Sequence, residues 1–114
     1  MIGDAYSGKI KMNELLEGLS LDLSNSFTAV KFYSTECMPC KRMDVILSKM
    51  EKEFLEINYI YVNIDNHLKI AQNFRIMSVP TIIFFFAGKE VSRVQGLVNT
   101  ESLRKTFKTF LGKK

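Results

Sequence analysis

Two cysteines, Cys37 and Cys40, are the only thiols in this 114-residue chain, and they stand three positions apart within the stretch STECMPCKRM. Thiols at this spacing can bind a metal, form a structural disulfide or form a reversible, redox-active disulfide. Structural zinc requires four ligands, and the chain adds one histidine, His67, to the pair. We therefore expect no metal site, we expect His67 at the surface, and we favour redox chemistry.

The composition indicates one globular domain. The chain is 46% hydrophobic and 25% charged, so it can build a core without a disulfide. The net charge of +4 is scattered, with no stripe of basic and aromatic residues, so we expect no nucleic-acid binding. The longest apolar run, 79–87, is too short to span a bilayer. No leader is recognisable, and we expect a reducing cytoplasmic setting.

The cysteines lie between a predicted strand at 27–33 and a predicted helix at 38–54, which a second strand at 57–64 follows. A strand, a long helix and a strand in this order form parallel neighbours in one sheet. The cysteines therefore lie at the carboxyl end of a strand, where active sites are commonly found.

The remaining elements complete an α/β fold. We predict a short helix near 68–74, a hairpin of strands 81–86 and 90–95, and a final helix from Thr100 that Gly112 ends. The result is a mixed sheet of four or five strands with helices on both faces. A strand at 6–11 and a helix at 12–19 are predicted before it. We expect a single domain over 1–114, with a variable segment at 1–26 and a core at 27–111.

The helix start gives the two thiols different roles. Free N–H groups and the helix dipole favour a thiolate on Cys37, which precedes the helix. Cys40 belongs to the apolar stripe of the helix, so we expect it to be buried. An exposed Cys37 can attack a substrate disulfide, and Cys40 can then displace the substrate. Pro39 suits the first turn of a helix because it donates no hydrogen bond there.

A proline opens the strand at 81–86. The Val79-Pro80 bond can be cis, which leaves neighbouring backbone groups free, or Pro80 can be an ordinary trans proline at the start of an edge strand. The residues alone leave both alternatives open.

Residues 27–111 resemble the thioredoxin family. The resemblance is carried by Cys37-Met38-Pro39-Cys40-Lys41, Val62-Asn63-Ile64-Asp65, Val79-Pro80-Thr81, Gly88-Lys89-Glu90-Val91 and Gly96. It implies a thioredoxin fold, a cis Val79-Pro80 bond and dithiol–disulfide exchange by Cys37 and Cys40 with no bound cofactor. It also implies that the backbone around Val79 pairs with the substrate chain and that Gly96 lets the substrate approach. Implied partners are protein disulfides and a flavin-dependent thioredoxin reductase that supplies electrons from NADPH, and the implied state is a monomer.

Two departures from the family pattern flank Cys37. Glu36 stands where the family usually has tryptophan, and its charge is expected to raise the pKa of the Cys37 thiol and to favour basic substrates. Met38 replaces a glycine. It either supplies a flexible apolar contact for a partner or is a neutral surface substitution.

A third departure lies in the first strand. The family's buried aspartate is replaced by Lys31, and the lysine that accompanies it is replaced by Tyr61. In one interpretation the stem of Lys31 packs while its amine reaches solvent. In the other, the amine lies near Cys40 and either stabilises its thiolate or, with a pKa lowered by burial, accepts its proton.

Three functions are compatible with these features. The first is a protein-disulfide reductase of the thioredoxin type. The second is a thioredoxin-like redox protein with one dedicated partner, which the general reductase does not serve; the altered residues around Cys37 motivate it. The third is a non-enzymatic docking module, which the intact cysteine pair disfavours.

Overall fold

A computed structural model describes residues 27–112. Along this part of the chain the elements are β1 (Phe27–Tyr33), α1 (Met38–Glu53), β2 (Ile57–Asn63), α2 (Leu68–Asn73), β3 (Thr81–Phe86), β4 (Lys89–Gln95) and α3 (Thr100–Leu111). The predicted bounds agree with these to within one residue. The predicted strand at 6–11 and helix at 12–19 lie outside the described residues.

The four strands form one sheet in the order β2-β1-β3-β4. Strands β1 and β2 are parallel, whereas β3 is antiparallel to both β1 and β4. The predicted mixed sheet is therefore confirmed. Ala87 and Gly88 both have positive φ, as the two central residues of a tight hairpin turn require.

The strands bury side chains on both faces, and a helix covers each face. Ala29 of β1 belongs to the core under α1 and α3, whereas Val30 and Phe32 belong to a second core against α2. This alternation follows from the two-residue period of a strand. The prediction of helices on both faces is confirmed. Within the residues that the structure describes, α1 and α3 share one face and α2 lies on the other.

Candidate active site

The two cysteines lie at the start of α1 and are joined by a disulfide. Cys37 is the N-cap residue in extended conformation, and its carbonyl accepts the first helical hydrogen bond, from the Lys41 N–H at 3.2 Å. The N–H of Cys40 donates to Cys37 Sγ over 3.1 Å. The helix start thus aims one of its free donors at the Cys37 sulfur, which favours a negative charge there.

Cys37 is less exposed than the sequence suggested. It keeps 8% of its surface and Cys40 keeps 2%, so both are buried while the disulfide is closed. The cause is the loop before β3, whose Val79 carbonyl oxygen lies 4.0 Å from Cys37 Sγ. The predicted burial of Cys40 is confirmed. The expectation of an exposed Cys37 is wrong for this state, although Cys37 remains the more accessible of the two.

The loop beside the disulfide brings together three residues named from the sequence. The Val79-Pro80 bond is cis, which confirms what the resemblance implies. The Pro80 carbonyl accepts a hydrogen bond from the Gly96 N–H at 2.8 Å. Gly96 has φ of +85°, which favours glycine, and a Cβ built there would meet no atom within 4 Å. The surface next to Gly96 is therefore open.

Polar contacts fix the loop that precedes Cys37. The Thr35 N–H donates to the Asp65 carboxylate at 2.9 Å, and the Asn63 side-chain amide donates to Thr35 Oγ1 at 3.1 Å. Asn63 is the last residue of β2, and Asp65 follows that strand by two positions. Asn63 and Asp65 carry the family resemblance, but their contact with Thr35 was not predicted from the sequence. The sequence feature that could have predicted this contact is the presence of two polar residues where a parallel strand ends.

Lys31 is buried beneath the start of α1 with 1% of its surface exposed. Its ammonium donates to the Cys40 carbonyl oxygen at 2.9 Å and forms an ion pair with the Asp44 carboxylate. The interpretation in which the amine reaches solvent is therefore wrong, because the helix covers it and Asp44 compensates its charge. Asp44 was not predicted from the sequence as part of the site. Its spacing was the available signal, since a residue four positions after Cys40 lies one turn further along the same face.

Tyr61 lies opposite Lys31 in the parallel register, and the Lys31 ammonium is 5.8 Å from the centre of its ring. The Tyr61 hydroxyl donates to the Glu51 carboxylate. Burial, and then this hydrogen bond, raise the pKa of Tyr61 well above its ordinary value. Tyr61 is thus a neutral phenol directed at Glu51, about three turns of α1 beyond Cys40.

Exposed side chains surround the disulfide. Glu36, Met38 and Pro39 are all exposed at the start of α1. Two further apolar residues, Met77 and Leu97, are exposed in the loops that hold Val79 and Gly96. Sequence reasoning missed Met77 and Leu97. Their signal was proximity in sequence to the two substrate-binding positions that the resemblance implied.

The remaining candidates lie outside this site. His67 is half-buried rather than fully exposed, because it precedes α2, and its Nε2 is buried without a hydrogen-bond partner. Over residues 27–112, no group of three or more His, Cys, Asp or Glu side chains is placed to hold a metal ion. Within the same range, no helix has the length and apolar character needed to cross a membrane.

The fold and site together define a class of protein. A cysteine pair at a helix N-cap, closed as a disulfide beside a cis-proline loop, can exchange dithiol and disulfide states with an external disulfide. This arrangement is that of a thiol-disulfide oxidoreductase.

Comparison with known proteins gives the family. The thioredoxin family model matches residues 9–109. A thioredoxin of Chlamydia caviae is 36% identical over 78% of this chain and 92% of its own, and yeast thioredoxin-2 is 31% identical over 68% and 74%. The solved structure of Fasciola hepatica thioredoxin superposes with a TM-score of 0.76 at 28% identity, over 83% of this chain and 90% of that one. The chain belongs to the thioredoxin family and has the corresponding protein-disulfide oxidoreductase activity.

Proposed function

We propose that this protein reduces protein disulfides by cycling Cys37 and Cys40 between dithiol and disulfide. The single observation that carries the proposal is the position of Cys37 as the N-cap of α1, with the Cys40 N–H 3.1 Å from its sulfur. In the reduced protein this donor and the helix dipole stabilise a Cys37 thiolate. The thiolate attacks one sulfur of the substrate disulfide, the substrate S–S bond breaks, and a mixed disulfide forms while the other substrate sulfur leaves as a thiolate.

Cys40 completes the exchange. Its thiolate attacks Cys37 Sγ, the mixed disulfide breaks, and the second substrate sulfur leaves as a thiolate. Two electrons pass from the protein to the substrate, and the Cys37–Cys40 disulfide remains. The burial of Cys40 supports this order, because an external disulfide reaches Cys37 more readily.

The substrate chain is proposed to bind across the cis-proline loop. The Val79 carbonyl lies beside Cys37 Sγ, and the space next to Gly96 is open. The Gly96 N–H donates a hydrogen bond to the Pro80 carbonyl. An extended substrate segment can therefore pair with the Val79 backbone while its sulfur faces Cys37. The exposed Glu36 and Met38 adjoin this path and favour substrates with basic and apolar residues near the disulfide.

Lys31 is proposed to favour the Cys40 thiolate. Its ammonium lies under the Cys40 carbonyl, and Asp44 holds it there. In Lys31→Met the pKa of the Cys40 thiol is expected to rise and resolution of the mixed disulfide to slow, because a buried positive charge is lost. Lys41→Met is the matched control, since it removes an exposed cation next to Cys40. Equal thiol pKa values in the wild type and Lys31→Met would contradict this role.

The reduced state is proposed to be restored by a flavin-dependent thioredoxin reductase that uses NADPH, with the protein acting as a cytoplasmic monomer. The dedicated-partner alternative is favoured by the exposed Glu36 beside Cys37. Incubation of the oxidised protein with NADPH and the reductase of its own organism separates the two. Reduction of the Cys37–Cys40 disulfide would support a protein served by the general reductase. If the disulfide is not reduced, a dedicated partner is favoured.

Insulin reduction coupled to a chemical dithiol or to the reductase tests the main proposal. The wild type is expected to accelerate insulin reduction, whereas Cys37→Ser is expected to lose this activity. Val45→Ala, an exposed change on the same helix, serves as the control and is expected to retain it. Activity that survives Cys37→Ser would refute the assignment of the attacking sulfur. Full biological function in a Cys37→Ser/Cys40→Ser double variant would instead favour the docking module.

A further inference from the structure

Two exposed methionines lie in the segments that adjoin the disulfide. Met38 lies between the cysteines with 63% of its surface exposed. Met77 is 87% exposed and lies two residues before Val79, whose carbonyl is 4.0 Å from Cys37 Sγ. We call Met38 and Met77 the methionine pair. Two other methionines, Met43 and Met50, lie on α1 as well, and both are fully buried in the core.

We propose that the methionine pair is an oxidation site through which hydroperoxides weaken the docking of protein substrates. In the reaction, the thioether sulfur attacks the peroxide, the O–O bond breaks and an S–O bond forms. The sulfur loses two electrons and becomes a sulfoxide, and hydrogen peroxide is reduced to water. No further reactant is needed.

The disulfide state makes the methionine pair the oxidisable group of this surface. A peroxide reacts with a cysteine through its thiolate, and neither Cys37 nor Cys40 has one while they are joined. Thioether oxidation needs no ionisation, so it depends mainly on access to the sulfur. Exposure therefore predicts that Met38 and Met77 react well before the buried Met43 and Met50.

The effect on function rests on the proposed binding of substrates across the cis-proline loop. A sulfoxide is polar, whereas the thioether is a flexible apolar contact. Oxidation of the methionine pair thus removes apolar area from the exposed segments that adjoin Cys37 and Val79. Binding of a protein substrate is expected to weaken, while attack on a small disulfide, which needs little docking area, is expected to keep its rate.

Peptide mapping by mass spectrometry tests the site itself. The disulfide form is treated with hydrogen peroxide for increasing times, the peroxide is destroyed with catalase, and sulfoxide is quantified at each methionine. Met38 and Met77 are expected to be oxidised at least about tenfold faster than Met43 and Met50, which act as controls within the chain. Equal rates at these four of the six methionines in the chain, or faster oxidation of the buried two, would overturn the proposal.

Kinetics with each sample then test the consequence. Peroxide treatment is expected to raise the KM for insulin about fivefold, the order given by the loss of one or two methylene equivalents of apolar contact. The rate with a small aromatic disulfide is expected to stay constant. Met38→Leu/Met77→Leu keeps apolar side chains that cannot form sulfoxides, so its KM should not change on treatment. A rise in KM that persists in this variant would overturn the proposal.

The two kinds of failure are distinguishable. If untreated protein does not reduce insulin, the proposed function fails before any peroxide is added, and the docking consequence fails with it. If untreated protein is active and oxidation of the methionine pair leaves the KM unchanged, the proposed function stands and only the oxidation switch is refuted.

Discussion

The two faces of the sheet use the same strands in different ways. Against α2, the core is a cluster of aliphatic and aromatic side chains that includes Val30, Ile83 and Phe85. Against α1, the apolar core is crossed by polar contacts: Lys31 pairs with Asp44, and Tyr61 donates to Glu51. Tyr59 on the same face donates to the carbonyls of Met50 and Phe54.

The difference between the faces indicates that one mainly stabilises the fold and the other also positions the helix that carries the cysteines. Hydrophobic burial on the α2 face contributes stability that is insensitive to protonation or charge. The polar contacts on the α1 face hold the helix that carries the cysteines, because Lys31, Tyr59 and Tyr61 each have a partner on that helix. The buried charge of Lys31 is tolerated because α1 supplies both a carboxylate and a carbonyl.

The largest expected effect is on the α2 face. Phe85→Ala removes a buried ring that packs against Phe74 with ring centres 5.6 Å apart, and it is expected to cost about 3–5 kcal/mol of unfolding free energy. Chemical denaturation measures this loss. The reduction rate per folded molecule should stay unchanged, because Phe85 pairs with Thr28 near the start of β1, whereas the cysteines follow the end of that strand. A fall in that rate would contradict the division between the faces.

Asp44→Asn is expected to cost about 2 kcal/mol, because it leaves the buried ammonium of Lys31 without its carboxylate. The half-exposed position of Asp44 lets water approach and keeps the loss below that of a fully buried pair. Adding Lys31→Met should recover most of the stability, since neither charge then remains. Glu56→Gln, which removes an exposed carboxylate, is the control and is expected to change the free energy of unfolding by less than about 0.5 kcal/mol. A double variant no more stable than Asp44→Asn would contradict this interpretation of the ion pair.

Stability at alkaline pH tests Tyr61. Its folded pKa is raised by burial and by the hydrogen bond to Glu51, so the folded state keeps a proton that the unfolded chain loses near pH 10. The associated stability is complete below about pH 10 and is lost as pH rises above it, by about 1.4 kcal/mol per pH unit. Denaturation between pH 10 and 11.5 measures how the free energy of unfolding falls with pH. In Tyr61→Phe this fall should be less steep than in the wild type by the same amount. An unchanged slope would refute the shift.

The smallest expected effect is at Thr28, a buried polar residue on the α2 side of β1, where the neighbouring side chains are apolar. Its Oγ1 is buried without a hydrogen-bond partner. Thr28→Val replaces the hydroxyl with a methyl group of similar shape and is expected to stabilise the protein by about 1 kcal/mol. Thermal or chemical denaturation measures the change. A destabilised variant would show that the hydroxyl is satisfied in solution.

The order of elements and the place of the cysteines were predictable from local patterns. The aromatic and β-branched residues of β1, the apolar stripe of α1 and the hairpin turn at Gly88 each depend on neighbours in the sequence. The pairing of Lys31 with Asp44 was not predictable in the same way, because it joins a strand to a helix across thirteen positions. The burial of Cys37 likewise depends on Val79, which lies forty-two positions away in the sequence.

Trapping of the mixed disulfide tests the central claim, that Cys37 attacks and Cys40 resolves. Reduced Cys40→Ser and reduced Cys37→Ser are each mixed with a protein disulfide and analysed by mass spectrometry without added thiol. We expect a stable adduct through Cys37 in Cys40→Ser and almost none in Cys37→Ser. Adducts of equal yield in the two variants, or an adduct through Cys40 alone, would contradict it.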